Sequence, residues 1–297
     1  MNSNDVSLEA RIKRDINEFS EAQRALAEFL LSNYDQAAFL TAARVGALVG
    51  VSESTVVRFA YAIGYQGWPQ LQTVLQDMVR DRLSTATRLR MSASGDQGKN
   101  QSVMREVMET DLENLRRSLQ DLKEETFNAA VEAVIQSENI YVLGSRSAHS
   151  LAHFLAFYLQ MIGKCVHVIP QGLGSIFEEL APVKPKDLVI GISFPRYTRI
   201  VVEGFAYARS KGAKTLALTD NVISPLGQMA DITLTATSNL GSFIESFVAP
   251  LSVVNALLTA VGRRDKDKTL TCLDELEEIA EKHDIFYLPG GGSNNII

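Results

Sequence analysis

The 297-residue sequence is poor in the residues that build covalent cross-links and metal centres. It contains two cysteines, Cys165 and Cys272, and that number excludes a disulfide framework and a four-cysteine zinc site. Positive charge is also scarce, because the formal net charge is −6. These deficits indicate a protein of a reducing, cytoplasmic compartment that is not a generally basic nucleic-acid-binding protein.

Long hydrophobic runs are missing as well. The most apolar late segment, residues 246–262, is interrupted by Pro250, Asn255 and serines, whereas a membrane span needs about 20 predominantly apolar residues. We therefore expect a buried helix there and no association with a membrane. The first residues include acids and no apolar stretch, so no secretory signal is predicted. With 46% hydrophobic and 22% charged residues, the chain has globular composition, and its length allows one large domain or two smaller ones.

The charge divides the chain into two unequal parts. Residues 1–95 carry ten basic and ten acidic residues, so the whole net charge of −6 belongs to the remainder. The polar, glycine-containing stretch at residues 91–102 has no apolar periodicity and is typical of a flexible linker. A neutral to slightly positive N-terminal part and an acidic C-terminal part indicate two units with different partners.

Beyond the linker, short apolar runs alternate with amphipathic segments. The predicted strands cover residues 139–143, 165–169, 187–193, 214–219 and 231–235. Helical patterns precede them at 103–120 and 124–137 and separate them at 148–163, 174–181, 199–211 and 225–230. This alternation predicts an α/β domain with a five-stranded, doubly wound parallel sheet of flavodoxin-like type. Cys165, inside the second run, is expected in the core.

In the N-terminal part, residues 40–71 predict two helices joined by a tight turn. The first helix ends at Gly50, because glycine adopts the left-handed cap conformation without steric cost. Ser52 is a good N-cap for the second helix, one face of which carries apolar residues at helical spacing. Another face carries Ser54, Thr55, Arg58 and Tyr61. Short hydroxyls and an arginine suit base edges in the major groove, although an ordinary helical hairpin with a solvated face has the same pattern.

Four further arginines follow this segment: Arg80, Arg82, Arg88 and Arg90. They predict either contacts with DNA phosphates or a solvated helix face.

Residues 51–68, VSESTVVRFAYAIGYQGW, resemble the N-terminal domain of the RpiR/MurR family of bacterial transcriptional regulators. The family pattern is an alanine-rich helix, then V-S-x-x-T-V-x-R-F, then L/I-G-[FY]-x-G-[FW]. The resemblance implies DNA binding, with the recognition-helix candidates Ser52, Ser54, Thr55, Arg58 and Tyr61. Tyr61 stands where the family usually has a basic or polar residue. Structural roles are implied for Gly64, Tyr65, Gly67 and Trp68.

Three loops stand at the predicted carboxyl ends of strands, where open α/β sheets bind ligands. They cover residues 143–150, 193–198 and 219–231, and the first two contain hydroxyls and an arginine. A small-residue loop that opens a helix binds anions readily, because its free backbone N–H groups point at the ligand. Two such loops in one parallel domain therefore predict an anion site.

Residues 126–265 resemble the SIS (sugar isomerase) domain, which binds phosphorylated sugars. Three residues match the family loops G-x-G-x-S and S-x-S-G-x-T: Gly144, Ser193 and Thr198. Arginines replace two of the family's glycines, at Arg146 and Arg196. The family's phosphate-binding serines are replaced by Ala148 and Pro195. The resemblance thus implies the SIS fold with an altered ligand site.

These replacements predict an anion site in which Arg146 and Arg196 make bidentate contacts with a phosphate or a carboxylate. The alternative is a degenerate pocket filled by the two arginines. The candidate effector-binding residues are Gly144, Ser145, Arg146, Ser147, Ser193, Arg196, Tyr197, Thr198 and Glu245. Glu245 also fits an acid at a helix start, where it complements the helix dipole. His149 and His153 have helical spacing but no visible third ligand, so neither a metal site nor a cofactor is predicted.

Together these features predict an all-α helix-turn-helix domain at residues 1–90, a linker and connecting helix at 91–125, an α/β SIS domain at 126–285 and a flexible tail at 286–297. The expected function is transcriptional regulation of carbohydrate catabolism genes in response to a small anionic metabolite, a phosphosugar or sugar acid, without enzymatic activity. The expected partners are a palindromic double-stranded DNA operator, that effector and further copies of the chain, in a homodimer or homotetramer. The alternative is a sugar-phosphate isomerase with a helical N-terminal extension.

Overall fold

The structure is a computed structural model that describes residues 8–16, 18–82, 84–94, 102–170, 175–240 and 242–287. The N-terminal part contains helices α1 (Leu8–Asp15), α2 (Glu21–Ser32), α3 (Tyr34–Ala37), α4 (Ala42–Val49), α5 (Glu53–Ala62), α6 (Trp68–Arg82) and α7 (Thr85–Ser94). The C-terminal part contains α8 (Val103–Asp121), α9 (Glu124–Gln136), β1 (Ile140–Gly144), α10 (Ala148–Met161), β2 (Val166–Val168), α11 (Ile176–Glu179), β3 (Leu188–Ile192), α12 (Arg199–Ser210), β4 (Lys214–Thr219), β5 (Ile232–Thr235), α13 (Val248–Arg264) and α14 (Lys266–Lys282).

Helices α1 to α6 pack around one apolar core. Phe19 and Phe59 meet edge to face in it, with ring centroids 5.3 Å apart. Trp68 is 4% exposed, and its indole N–H donates to the Leu40 carbonyl at 3.1 Å. This bond joins the start of α6 to the connection between α3 and α4, so the tryptophan has the structural role that the family pattern implies.

The five strands form one parallel sheet in the order β2-β1-β3-β4-β5. This is the strand order of flavodoxin-like folds, in which ligands bind at the carboxyl ends of the strands beside the switch point between β1 and β3. The central strands β1 and β3 are fully buried, as expected for a parallel sheet covered on both faces. The predicted five-stranded, doubly wound sheet is confirmed.

Alternate residues of each strand belong to different cores. On β1, Ile140 and Val142 lie in a core that includes residues of α9, α10 and α13. Tyr141 and Leu143 lie in the core on the opposite face, beneath α11 and α12. This period of two places helices on both faces and leaves the strand ends free to form loops.

Helix α8 is attached to the C-terminal part by side-chain hydrogen bonds. The Asn114 amide donates to the Asn239 carbonyl at 2.6 Å, and the Thr237 N–H donates to the Ser118 hydroxyl at 2.8 Å. The Ser246 hydroxyl donates to Asp111 at 2.5 Å. The helix that connects the two parts is therefore docked on the SIS-like sheet domain.

Three local expectations are corrected by the structure. Cys165 is exposed rather than in the core, because it precedes the short edge strand β2. Residues 225–229 form turns rather than the helix expected near 225–230. Glu245 precedes the first residue of α13 and is therefore not an acid of its first turn. The expected buried helix at residues 246–262 is α13, and no described helix has the length and apolar character needed to cross a membrane.

Candidate functional site

Helices α4 and α5 are joined by a tight turn. Gly50 ends α4 with φ +79°, the left-handed cap predicted from the sequence. Gly46 lies where the helices approach, since a Cβ atom there would be 2.7 Å from the Val51 carbonyl oxygen. The Ser52 hydroxyl caps α5 by accepting the Thr55 N–H at 3.2 Å. These local features fix a helix-turn-helix.

The two faces of α5 have opposite character. Val56, Phe59 and Ala60 are buried in the N-terminal core. The Ser52 hydroxyl lies 2.9 Å from that of Ser54 and 2.8 Å from that of Thr55. Arg58 is exposed and donates to the Ser54 carbonyl at 3.2 Å, and Tyr61 is 59% exposed. The structure therefore places all five predicted recognition residues at the solvent-facing start and side of α5.

One buried arginine, which the sequence analysis did not identify, holds this helix in place. Arg11 of α1 is 2% exposed and donates to the carbonyls of Ile63 and Gly64 at 3.0 and 3.1 Å. Its guanidinium also lies 4.6 Å from the centroid of the Tyr65 ring. A cation at these carbonyls satisfies acceptors that the end of α5 leaves without helical partners.

In the C-terminal part, the loops after β1 and β3 start side by side. Gly144 pairs with Ile192 in the sheet register, so Ser145 and Ser193 follow at the same level. The first loop leads into α10 and the second into α12. Helices α10 and α12 therefore start at the same edge of the sheet, one on each face, and the backbone amides of their first turns favour an anion there.

Arg146 and Arg196 adopt a backbone conformation that favours glycine. Their φ angles are +55° and +66°, in the left-handed region that glycine adopts without steric cost. Both side chains are exposed at the loop surface. The chain thus tolerates two strained residues at the positions where the family's phosphate loops turn, and such strain is concentrated at functional sites.

Glu245 lies against these loops. Its carboxylate accepts the Ser147 hydroxyl at 3.5 Å and lies 3.9 Å from the Arg88 guanidinium. Burial raises the pKa of the Glu245 carboxyl above its ordinary value, against the lowering influence of Arg88, Ser147, Arg196 and Arg146. We call these five residues the Glu245 cluster. Because it combines three guanidinium groups with one carboxylate, its surplus charge is positive.

The remaining candidate effector residues lie in the loop after β3, between that strand and α12. The Tyr197 hydroxyl donates to Asp220 at 2.7 Å and links this loop to the one after β4. Burial raises the pKa of the Asp220 carboxyl, and its hydrogen bond from Tyr197 acts in the opposite direction. Ser193 is buried directly after β3, and Thr198 is the N-cap residue of α12. The structure thus brings the candidate effector residues to one edge of the sheet.

Helix α7 also contributes to the Glu245 cluster, although the sequence did not predict this. The Arg196 guanidinium donates to the Thr85 hydroxyl at 2.5 Å. Arg88, expected on a solvated face or against DNA phosphate, is instead largely buried beside Glu245. Arg90 is exposed, and the side chains of Arg80 and Arg82 lie outside the described residues. Helix α7 crosses the domain boundary expected after residue 90, since it continues to Ser94.

The two histidines of α10 pair with each other near the first loop. Their Nε2 atoms are 2.8 Å apart, and Nδ1 of His149 lies 3.1 Å from the Gly144 carbonyl oxygen. Among the described residues, no group of three or more His, Cys, Asp or Glu is placed to hold a metal ion.

Comparison with known families matches both parts of the chain. The model of the helix-turn-helix domain of the rpiR family matches residues 6–81, and that of the SIS domain matches residues 133–260. The sugar isomerase domain of an RpiR transcription factor from Sphaerobacter thermophilus is 33% identical with a TM-score of 0.58, covering 60% of this chain and 99% of that one. The chain belongs to the RpiR family. It is a transcriptional regulator with an N-terminal helix-turn-helix and a C-terminal SIS domain.

Two similar proteins span most of this RpiR-family regulator. The transcriptional regulator HexR of Pseudomonas aeruginosa is 27% identical over 263 residues, which cover 86% of this chain and 88% of HexR. The Vibrio vulnificus NanR protein, solved in complex with ManNAc-6P, is 20% identical and covers 93% of this chain and 98% of its own, with a TM-score of 0.57. The second likeness shows a shared fold over both domains.

Proposed function

We propose that this RpiR-family regulator controls carbohydrate catabolism genes and reads its operator with the exposed start of α5. The proposed DNA-contacting residues are Ser52, Ser54, Thr55, Arg58 and Tyr61. Arg58 supplies the fork that can bind guanine bidentately, and Thr55 supplies a short hydroxyl near the positive end of the helix. The supporting observation is that these side chains share one solvent-facing surface of a capped second helix.

The effector that we propose is a small anion derived from carbohydrate, either a phosphosugar or a sugar acid. Its proposed binding residues are Gly144, Ser145, Arg146, Ser147, Ser193, Arg196, Tyr197, Thr198 and Glu245. The observation that carries this proposal is that the loops containing Arg146 and Arg196 start side by side after β1 and β3, with partly buried Glu245 hydrogen-bonded to Ser147 of the first loop. The complex of the similarly folded NanR protein with ManNAc-6P supports a sugar phosphate as one class of ligand.

Self-association is the third element of the proposed function. One face of α8 docks on the SIS domain, while another exposes a row of apolar side chains: Met104, Met108, Leu112 and Leu119. An exposed apolar row of this kind fits a second copy of the chain. A dimer or tetramer with two-fold symmetry would present paired α5 helices to a palindromic operator.

DNA reading is tested with the double variant Thr55→Ala/Arg58→Ala. We expect fluorescence anisotropy to show a loss of specific affinity for the DNA upstream of the chain's own gene of about 10- to 100-fold, because one good bidentate contact contributes about 1–3 kcal/mol of discrimination. Arg117→Ala on exposed α8 removes the same charge and is the control. Unchanged specific binding by the double variant would remove α5 from the recognition surface.

The effector site is tested by adding phosphosugars, including ManNAc-6P, and sugar acids to the protein–DNA complex. We expect one compound class to change DNA affinity in the wild type and to have little effect on Arg146→Ala/Arg196→Ala. Arg209→Ala, exposed near the end of α12, is the control for loss of charge. A response that survives in the double variant contradicts this site.

A sugar-phosphate isomerase is the second candidate function, and one observation favours it. A partly buried carboxylate with a raised pKa, as at Glu245, suits a general base. Regulation is the better supported function because Arg88 from α7 covers this carboxylate and HexR is a transcriptional regulator. Solvent deuterium incorporation into aldose and ketose phosphates tests for catalysis. Incorporation that Glu245→Gln abolishes would establish the isomerase.

A further inference from the structure

Arg88 is the buried cation of α7. Its side chain is 10% exposed, and the nearest approach to Glu245 is 3.9 Å, which is longer than a hydrogen bond. Its Nε–H is fully buried and has no acceptor among the described residues. A buried donor without an acceptor is unfavourable. The Nε–H of Arg88 is therefore a hydrogen-bond donor that is not used within the described residues.

The charge around Arg88 indicates what that acceptor is. Besides Arg88, the guanidinium groups of Arg146 and Arg196 also lower the pKa of the Glu245 carboxyl, so the Glu245 cluster has more positive than negative charge. An additional anion would reduce this imbalance and could accept both the Nε–H and a terminal N–H of Arg88, the bidentate geometry that guanidinium offers to phosphate and carboxylate.

We propose that Arg88 binds the anionic group of the effector together with Arg146 and Arg196, and that effector binding thereby fastens α7 to the SIS domain. This inference rests on the proposed effector site and extends it to a residue outside the SIS domain. The Thr85–Arg196 hydrogen bond already holds the start of α7 at the same place. The anion completes an attachment that the protein alone makes only in part.

The position of α7 gives this attachment a regulatory consequence. Helix α6 ends at Arg82 and α7 begins at Thr85, so a fastened α7 restricts where the helix-turn-helix domain can lie. An effector that contacts Arg88 binds the docked arrangement more tightly than the undocked one. By linkage it shifts the population towards the docked arrangement and changes the presentation of α5 to DNA.

The experiment compares full-length wild type, Arg88→Gln, Arg90→Gln and Arg146→Ala/Arg196→Ala by calorimetric titration with inorganic phosphate and with D-gluconate. Arg90 is exposed on the same helix, so its variant controls for charge. We expect Arg88→Gln to lower the affinity for the bound probe by about 10- to 100-fold, the range for a lost hydrogen bond to a charged group. Arg90→Gln should bind as the wild type does.

Hydrogen exchange of peptides from residues 85–94 supplies a readout that does not depend on a variant folding. The bound probe should slow exchange of α7 amides in the wild type and not in Arg88→Gln. Wild-type affinity in Arg88→Gln, or unchanged α7 exchange in the wild type, would overturn the role of Arg88 while the effector site stands. Undiminished binding by Arg146→Ala/Arg196→Ala, or no binding of either probe by the wild type, would overturn the effector site itself.

Discussion

Glycine and alanine substitutions at Arg146 and Arg196 separate the backbone cost of these positions from the value of their side chains. With φ at +55° and +66°, each residue pays the roughly 1–2 kcal/mol by which L-residues disfavour the left-handed region. Glycine removes that cost, but it also makes the unfolded chain more flexible, which cancels roughly 0.5–1 kcal/mol of the gain in stability. Alanine keeps the strain. Each glycine variant should therefore be more stable than the matching alanine variant by about 0.5–1 kcal/mol.

The comparison is sharpest in the double variants. The free energy of unfolding of Arg146→Gly/Arg196→Gly should exceed that of Arg146→Ala/Arg196→Ala by about 1–2 kcal/mol. This difference corresponds to about 3–6 °C in the melting temperature of the SIS domain. Differential scanning calorimetry is the suitable assay, because Trp68, the single tryptophan, lies in the N-terminal part. Both double variants should lose affinity for the effector anion equally, since both lack the guanidinium groups.

Ala256 supplies the matched control. It is an exposed residue inside α13, so Ala256→Gly should lower the stability by roughly 0.5–1 kcal/mol. The sign of the glycine–alanine difference must reverse between Ala256 and the two arginines. Double-alanine protein that is as stable as the double-glycine protein would refute the strained conformation.

Three further predictions concern single residues. Gly46→Ala should destabilise the N-terminal part by about 1–3 kcal/mol in urea unfolding followed by Trp68 fluorescence, because its Cβ meets a backbone oxygen at 2.7 Å; Gly50→Asn, with open space around it, should cost less. Arg11→Met should cost about 1.5–3 kcal/mol in the same assay, since it removes charged hydrogen bonds to the end of α5; an unchanged midpoint would contradict this. Glu245→Gln should be more stable than the wild type at neutral pH. Burial raises the pKa of Glu245 above its ordinary value of 4.5 despite Arg88, Ser147, Arg196 and Arg146. Ionising this carboxyl therefore costs more free energy in the folded protein than in the unfolded one, and the stability of the wild type falls as pH rises through the folded pKa. The stability difference should vanish as pH falls to 4.5. A wild type that becomes more stable relative to Glu245→Gln as pH rises would contradict the assignment.

The sequence by itself determined the features that depend on near neighbours in the chain. The left-handed cap at Gly50, the N-cap at Ser52 and the buried face of α5 follow from residues a few positions apart. The alternation of apolar runs with helices determined the doubly wound sheet, because each strand must be buried on both faces. The resemblance to the SIS loops identified Arg146 and Arg196 as replacements of two glycines.

Only the tertiary structure decided which distant residues meet. Arg196 reaches Thr85 across 111 positions, Ser147 reaches Glu245 across 98, and Arg11 reaches Ile63 across 52. No local period encodes such pairs, because they arise from how whole elements pack. For that reason Arg88 was expected in solvent or on DNA, and the fold instead buries it beside Glu245. The same limit applies to Cys165, whose exposure follows from the position of β2 at the edge of the sheet.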